Sequence, residues 1–355
     1  MGSNGLVFLN TLNLAYSKKT ELLKSFDDSD LLINVSHKEL SKFGVLNQKD
    51  IDKFLSCRDS RLFEREISQA RDNGIQIVDL HDQRYPEILR EIFDPPLVLY
   101  VKGNVDVLSK MSIAVVGTRI PTPYGSSVAE NLSSDLSSMG INVVSGLARG
   151  IDTCAHRGAL SNGITTAVLG SGLLNVYPRE NKRLGLEIAN CGAVISEYIL
   201  NMPPLRENFP KRNRIVSGLS KGVVIVEAAK RSGALITARL ACEQNREVFA
   251  VPGEITSPVS VGPNYLIKEG AKLVENIKDI LDEFSISSFV PDKDLAPDLK
   301  FPENVIFDIV DFKGKFFDEI LAQSQLARQD AFKGLLSLVF KGFVKELKPS
   351  FYAKV

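Results

Sequence analysis

Between residues 110 and 255, short apolar runs rich in β-branched side chains alternate with stretches whose apolar positions recur at helical spacing. Runs 112–116, 141–144, 165–169, 193–196, 223–226 and 247–251 read as strands. Between the first two, Val128, Leu132, Leu136 and Met139 recur at the spacing of one buried helix face. Buried strands alternating with helices mark an α/β fold, a doubly wound, mainly parallel sheet covered by helices on both faces. The flanks differ. Residues 5–73 read as short helices, with capping-box spacing at Ser36-His37-Lys38-Glu39 and a weaker repeat at Asn47 and Asp50. Such helices form either a small packing or interaction domain or a helix-hairpin-helix module, and some of the latter touch DNA.

Residues 75–104 form a proline-rich transition containing Asp94-Pro95-Pro96 and Gly103-Asn104. A Ser-, Asp- and Pro-containing linker is expected over 285–304, then helices and a β-like end at 351–355, a pattern compatible with a small winged helix over 305–355. From residue 300 onward nine Lys and Arg face seven Asp and Glu, a weak charge for a DNA reader.

Composition narrows the chemistry. Of 355 residues, 44% are hydrophobic and 24% charged, as in a globular protein. No apolar run reaches the ~18–20 residues of a bilayer span, and no signal peptide is read at the N-terminus, so a cytoplasmic protein without a membrane partner is expected. The cysteines Cys57, Cys154, Cys191 and Cys242 lie far apart and only three histidines are present, which suggests neither a disulfide scaffold nor a metal site. Lys and Arg total 43 and Asp and Glu total 43, so any anion site must be a local concentration of charge.

In doubly wound sheets ligands bind beyond the carboxyl ends of the strands. The loop after the first strand is Gly117-Thr118-Arg119-Ile120-Pro121-Thr122-Pro123-Tyr124-Gly125. There Thr122 and Pro123 have the form of an N-cap followed by proline at the first helical position, and the helix start beside Arg119 suits a phosphate. The next loops carry Ser145-Gly146-Leu147-Ala148-Arg149-Gly150-Ile151-Asp152, then Gly170-Ser171-Gly172 leading to Tyr177-Pro178-Arg179. After the fourth strand comes Asn208-Phe209-Pro210-Lys211-Arg212-Asn213-Arg214, read as a loop, and after the fifth Arg231-Ser232-Gly233, where Ser232 caps the next helix. Cations thus converge on one rim, with Tyr124 and Phe209 as faces for stacked bases, the pattern of single-strand binding.

Blander readings stand beside these. A lone arginine is more often solvated or ion-paired, Phe209 serves equally as a core plug, and Tyr124 as packing for a helix start. Asp152 and His156 share a helix face as an acid–base pair would, yet Asp152 is equally a first-turn helix residue. Asn175 stands where a dinucleotide fingerprint needs its third glycine, and neither a G-x-S-x-G elbow nor a P-loop occurs. No cofactor, metal ligand or catalytic residue is therefore assigned.

The ordered motifs V-V-G-T-R-I-P-T-P-Y-G, S-G-L-A-R-G-I-D-T-C-A-H-R-G-A-L, L-G-S-G-L-L-N-V-Y-P-R-E-N, I-S-E-Y, F-P-K-R-N-R-I-V-S-G and E-A-A-K-R-S-G-A-L-I-T-A-R-L-A resemble the DNA-processing protein A (DprA/Smf) family. The similarity continues through A-V-P-G-E and G-P-N-Y-L-I-K-E-G-A and covers roughly 75–284. It implies an extended Rossmann-like domain that binds single-stranded DNA, with a SAM-like helical domain over 1–74 and a winged helix over 305–355. It also implies a homodimer that protects incoming DNA in natural transformation and loads a RecA-type recombinase. The family's pocket arginines match Arg119, Arg212 and Arg214, while Lys211 occupies a variable position. The candidate DNA-binding set is Gly117, Thr118, Arg119, Thr122, Tyr124, Gly125, Arg149, Gly170, Phe209, Lys211, Arg212, Asn213, Arg214, Ser232 and Gly233. Departures are Thr118 for the usual serine, Pro263 for threonine and Ile199 for proline. Two other functions compete: a nucleotide N-glycoside hydrolase using Glu197 or Glu227, and a nucleotide-sensing scaffold.

Overall fold

In the computed structural model every expected strand of the middle region forms, with limits shifted by at most one residue: β3 (Ser112–Val116), β4 (Asn142–Ser145), β5 (Thr165–Val168), β6 (Ala193–Ser196), β7 (Gly222–Ile225) and β8 (Glu247–Ala250). The structure describes residues 4–286 except 13 and 27, and 299–354 except 313. Three further strands join the sheet: β1 (Gln76–Asp79), β2 (Val98–Gly103) and β9 (Lys272–Leu273). The nine strands run in the order β1-β2-β6-β5-β4-β3-β7-β8-β9. From β6 to β9 all pairs are parallel; β2 pairs antiparallel with β6 (Val101 opposite Ile195) and with β1 (Gln76 opposite Val101).

The region read as a proline-rich transition therefore supplies an antiparallel edge. Pro95 and Pro96 sit just before β2 rather than in it, so they cost no ladder hydrogen bond. Strand β9 has only two residues, too few to show a pattern.

Alternation along the strands splits the core into two layers. Ile113, Val115, Val224 and Val226 point to the face covered by α7 (Pro123–Ser138), α8 (Ile151–Asn162) and α13 (Ile277–Glu283). Ala114, Val116, Val223 and Ile225 point to the face covered by α6 (Glu87–Arg90), α10 (Asn208–Gly218) and α11 (Gly233–Glu243). The remaining helices of the sheet region are α9 (Lys182–Cys191) and α12 (Val261–Lys268).

Before the sheet lie α1 (Asn4–Thr11), α2 (Tyr16–Lys24), α3 (His37–Leu40), α4 (Gln48–Asp59) and α5 (Leu62–Asp72). Both expected capping boxes form, Ser36 with Glu39 and Asn47 with Asp50. These helices do not stand apart: Leu6, Phe8, Phe54 and Phe63 share one apolar cluster with Val98, Tyr100, Val194 and Ile188. Polar ties reinforce the contact, with Leu200 N–H donating to the buried Glu66 carboxylate at 2.8 Å and Asn10 Nδ2 donating to Glu197 O at 2.8 Å. Residue 74 marks a change of pattern but not a break in packing.

Of the expected linker, residues 287–298 lie outside the described residues, and its last positions already belong to α14 (Glu303–Ile309). With α15 (Phe317–Ser324), α16 (Arg328–Phe340) and the antiparallel strands β10 (Lys315–Phe316), β12 (Phe351–Lys354) and β11 (Val344–Lys348), this helix builds a small unit around Ile306, Ile320, Leu335 and Leu338. Lys345 meets Glu130 of α7 at 2.9 Å.

Helices α7 and α8 cross where Gly158 lets the backbones touch; a Cβ there would lie 2.0 Å from Glu130 O. Gly158→Ala should therefore lower the urea unfolding free energy by at least ~1–3 kcal/mol through overpacking. Unchanged stability would mean that the two helices part without cost.

Candidate nucleic-acid interface

Strand β3 connects through α7 toward β4 on one side, while its other neighbour β7 leads through α11 to β8 on the opposite side. The strand order reverses there, and a crevice opens beyond the carboxyl ends. It is a cleft of about 830 Å³, walled by the loop Gly117–Ile120, by Gly146 and Ala148, by α10, and by the start of α11.

The stretch read as a loop after β6 is helix α10. Pro210 lies in its first turn, where the missing N–H has no intrahelical partner to lose. The helix gives its three cations three different fates. Lys211 is exposed beside the cleft without lining it. Arg212 is 5% exposed, and its Nη1 donates to Gly146 O at 2.7 Å and to Val168 O. Its Nε donates to Asn213 Oδ1 at 3.2 Å, while Nη2 has no partner among the described residues and the side chain lines the cleft. Burial pushes its pKa down, with Arg119 adding to the shift and Asp152 opposing it. Arg214 forks onto Glu197, with Nη1–Oε1 and Nη2–Oε2 both 2.7 Å, and its Nε reaches Asp94 at 2.8 Å. Those carboxylates hold its pKa above the ordinary value against the opposing effect of burial. Arg214, expected as a phosphate contact, is instead ion-paired with two carboxylates here, its Nε and both Nη atoms each donating within the protein.

The helix start at Thr122 has also found its anion. The Glu227 carboxylate, 3% exposed, accepts from Thr122 N–H at 2.9 Å and from Thr122 Oγ1 at 2.5 Å, and Thr122 Oγ1 accepts from Gly125 N–H at 3.0 Å. Gly125 is needed because a Cβ there would fall 2.3 Å from that carboxylate. Thr122 thus holds a buried glutamate and Gly125 caps onto Thr122, so the donors expected to meet phosphate, and the Glu227 carboxylate, are engaged with one another. Glu197 is likewise spent on Arg214. Tyr124 points away from the expected role: its hydroxyl donates to Pro252 O at 3.1 Å and its ring lies 6.5 Å from Phe312, outside the cleft lining.

Other expected residues do converge. Arg119 is exposed on the cleft wall and forms no ion pair or hydrogen bond among the described residues. Its loop is held by Thr118 N–H donating to Glu227 O at 2.7 Å, and Gly117 clears space where a Cβ would meet Ile151 at 2.6 Å. Phe209 lies half-buried against Gly170, whose added Cβ would be 2.8 Å from the ring, and its other neighbour is Tyr177, with centroids 5.6 Å apart. The ring thus packs on Gly170 and also lines the cleft. Ser232 caps α11 by accepting from Ala234 N–H at 3.3 Å, and it lines the cleft with Gly233. Asn213 Nδ2 donates to Gly233 O at 3.4 Å, tying α10 to that helix start. Arg149 lines a small recess of the same region but is paired with Glu180.

Sequence reasoning missed Tyr177, Ile120 and Arg206 as cleft residues. Tyr177 had a signal, an aromatic in the loop after β5 followed by proline and arginine; Arg206, exposed and unpaired among the described residues, precedes α10 with no motif of its own.

Asp152 and His156, which share a helix face, do not bond to each other. Asp152 is buried and accepts from Gly146 N–H at 3.1 Å and Ala148 N–H at 3.3 Å; burial raises its pKa, against Arg212 and these bonds. His156 Nδ1 lies 2.8 Å from Thr165 Oγ1, whose own proton goes to Val143 O at 2.6 Å. The neutral ring therefore carries its proton on Nδ1. Among the described residues no cluster of His, Cys, Asp and Glu could hold a metal, and no helix is long and apolar enough to cross a membrane.

A sequence profile of the DNA recombination-mediator protein A family matches residues 76–285. Protein Smf of Escherichia coli (strain K12) is 46% identical over 259 residues, covering 72% of this chain and 68% of its own length. DNA processing protein DprA of Streptococcus pneumoniae is 43% identical over 243 residues, covering 66% and 86%. An X-ray structure of DNA processing protein A from Streptococcus pneumoniae matches with a TM-score of 0.70 at 38% identity, covering 79% of this chain and 98% of that one. The Helicobacter pylori DNA processing protein A, solved for its single-stranded DNA binding mode, matches with a TM-score of 0.55 at 31% identity over 59% of this chain and 95% of that one.

His156 yields a pH prediction. Burial, aided by the Arg212 charge, holds its pKa down to about 3. An unfolded histidine titrates near ~6.5. Between these values the unfolded chain binds a proton that the folded chain does not. Stability from this residue is full above the unfolded value and falls as pH drops, by about 2 kcal/mol at a pH of roughly 5. His156→Gln should flatten the acid limb of the stability–pH profile by that amount. Parallel profiles for the two proteins would contradict it.

Proposed function

The chain belongs to the DNA recombination-mediator protein A family, and from that premise we propose that its cleft binds single-stranded DNA along the carboxyl edge of the sheet. One observation carries the reading: unpaired Arg119 stands in the same open cleft as the aromatic pair Tyr177 and Phe209. Cations for phosphates next to ring faces for bases are what a sequence-tolerant single-strand site needs. The single-strand binding of the Helicobacter pylori relative supports it. Phosphates would meet Arg119 and Arg206, the free Nη2 of Arg212, and the Gly233 N–H where α11 begins, the Ser232 N–H being already taken by Ala229 O. Thr118, Gly117 and Gly170 shape the backbone approach. Lys211 would add a peripheral charge, and Arg149 would have to release Glu180 to join.

In this reading Arg214, Thr122, Gly125 and Tyr124 position the site without touching DNA. No turnover is proposed, since the two carboxylates considered for hydrolysis, Glu197 and Glu227, lie outside the cleft lining and are held by Arg214 and Thr122. The protein would act in the cytoplasm as a recombination mediator that protects incoming strands in transformation and loads a RecA-type recombinase. A homodimer is supported by Val261, Tyr265 and Leu273, which are 42%, 56% and 40% exposed around the β9 edge. Residues 305–355 would form a winged helix.

If Arg119 neutralises a phosphate, Arg119→Ala should flatten the log–log salt dependence of oligonucleotide binding by roughly 0.7 and weaken binding equally across sequences. A folded variant with wild-type affinity and slope would remove the β3 loop from the site. Phe209→Leu should cost ~1–3 kcal/mol of affinity with little change in slope. Lost thermal stability with retained affinity would instead leave the ring as packing alone.

A further inference from the structure

Helix α16 buries Ala331, Gly334, Leu335 and Leu338 against the core of the C-terminal unit. Its opposite side is also apolar. Phe332, Leu336 and Phe340, four residues apart, are 50%, 37% and 84% exposed. That spacing puts them on one stripe along the helix. Arg328 borders the stripe on one side, its guanidinium 5.9 Å from the Phe317 ring, and Lys333 borders it on the other with no ion pair among the described residues. Asp330, the only acid of α16, stands three residues before Lys333, farther from the stripe on that same flank.

We propose that this stripe docks an amphipathic segment of a partner protein whose apolar face is flanked by carboxylates. Charge selects this occupant over two others. Duplex DNA would ask the exposed ridge of such a helix for polar side chains to read bases and free cations to hold phosphates. Here the ridge offers two phenylalanines and a leucine, with Gln329 its single polar side chain. Nearby cations are engaged elsewhere: Lys341 with Glu303 at 2.6 Å, Lys345 with Glu130 at 2.9 Å, Lys348 over the Phe316 and Phe351 rings, and Lys354 over Phe307. A second copy would bring only this same surface, whose stripe is bordered by cations and has no carboxylate beside it, so Arg328 and Lys333 would gain no partner from the apolar ridge. Carboxylates beside an apolar ridge satisfy both flanks while the ridge leaves water, as when an amphipathic helix is recognised through regularly spaced anchors.

The test uses the full chain and two synthetic helix-forming peptides with the same leucine stripe, one flanked by glutamates and one by lysines, read by fluorescence anisotropy. The glutamate peptide should bind saturably and the lysine peptide at least ~10-fold more weakly, roughly 1.4 kcal/mol. Phe340→Glu, at an exposed position that folding does not need, should weaken the glutamate peptide at least ~10-fold. Lys333→Glu should shift preference toward the lysine peptide, an exchange that a folding defect cannot produce. Single-strand affinity of the cleft should stay unchanged in both variants. Equal binding of the two peptides, no binding of either, or indifference to both substitutions would overturn the proposal. So would a Phe340→Glu protein that instead loses duplex DNA binding or shifts to a smaller sedimenting species, since these outcomes assign the ridge to DNA or to a second copy.

Discussion

The carboxyl edge of the sheet is organised around one buried guanidinium. Arg212 reaches from α10 under the loops and donates from Nη1 to Gly146 O, past the end of β4, and to Val168 O, at the end of β5. A guanidinium out of water is costly unless its donors are satisfied. It therefore fixes the spacing of those strand ends and dictates their residues. Gly146 has no side chain because a Cβ there would lie 2.6 Å from the Arg212 guanidinium. Asp152 supplies the nearby negative charge while accepting two backbone N–H groups of the same loop. Asn213 carries the tie onward to α11. Loop after β4, end of β5, α10 and the start of α11 become one braced frame, with an arginine nitrogen left over to face the cleft.

The sheet was legible because strands buried on both faces must be apolar at nearly every position, and Ile113 to Val116 or Val223 to Val226 leave no other reading. The antiparallel edge was not, because Tyr100 and Val101 lie in a stretch whose prolines dominate the local pattern. Asn208 to Gly218 failed for the same reason: Phe209-Pro210 looks like a break unless the proline is known to fall in a first helical turn. Composition places cations at a rim, but it cannot say which are free. Arg214 and Arg119 look alike in sequence; only the fold brings Glu197 and Asp94 to the one and leaves the other alone.

Glu227 shows why a helix start is not by itself an anion site. The backbone N–H groups and the hydroxyl at Thr122 are satisfied by a carboxylate from the end of β7, two strand ends being stapled together by the chemistry that would otherwise hold a phosphate. The start of α11 is different. Ser232 caps it with its own hydroxyl, Gly233 has open space where a side chain would be, and among the described residues no carboxylate bonds to it. Two helix starts on neighbouring loops thus divide the labour between holding the fold and facing the cleft.

The same division explains how a chain with equal numbers of cations and anions can hold a polyanion. Several cations away from the cleft are paired locally, as in Arg183 with Glu187, Arg239 with Glu243 and Lys272 with Glu283. Arg119 and Arg206 are left without carboxylate partners among the described residues, and the acid nearest the cleft floor, Asp152, is turned inward onto backbone N–H groups and Arg212. With no net charge to steer a strand from a distance, attraction is confined to about a Debye length, ~8–10 Å at physiological salt. Binding then depends on contact: on phosphates reaching those few cations, and on bases finding the Tyr177 and Phe209 faces between them. A duplex, whose bases are already stacked, can offer the first and not the second, so the proposed preference for single strands would follow from pairing scarce charge with open ring faces rather than from charge alone.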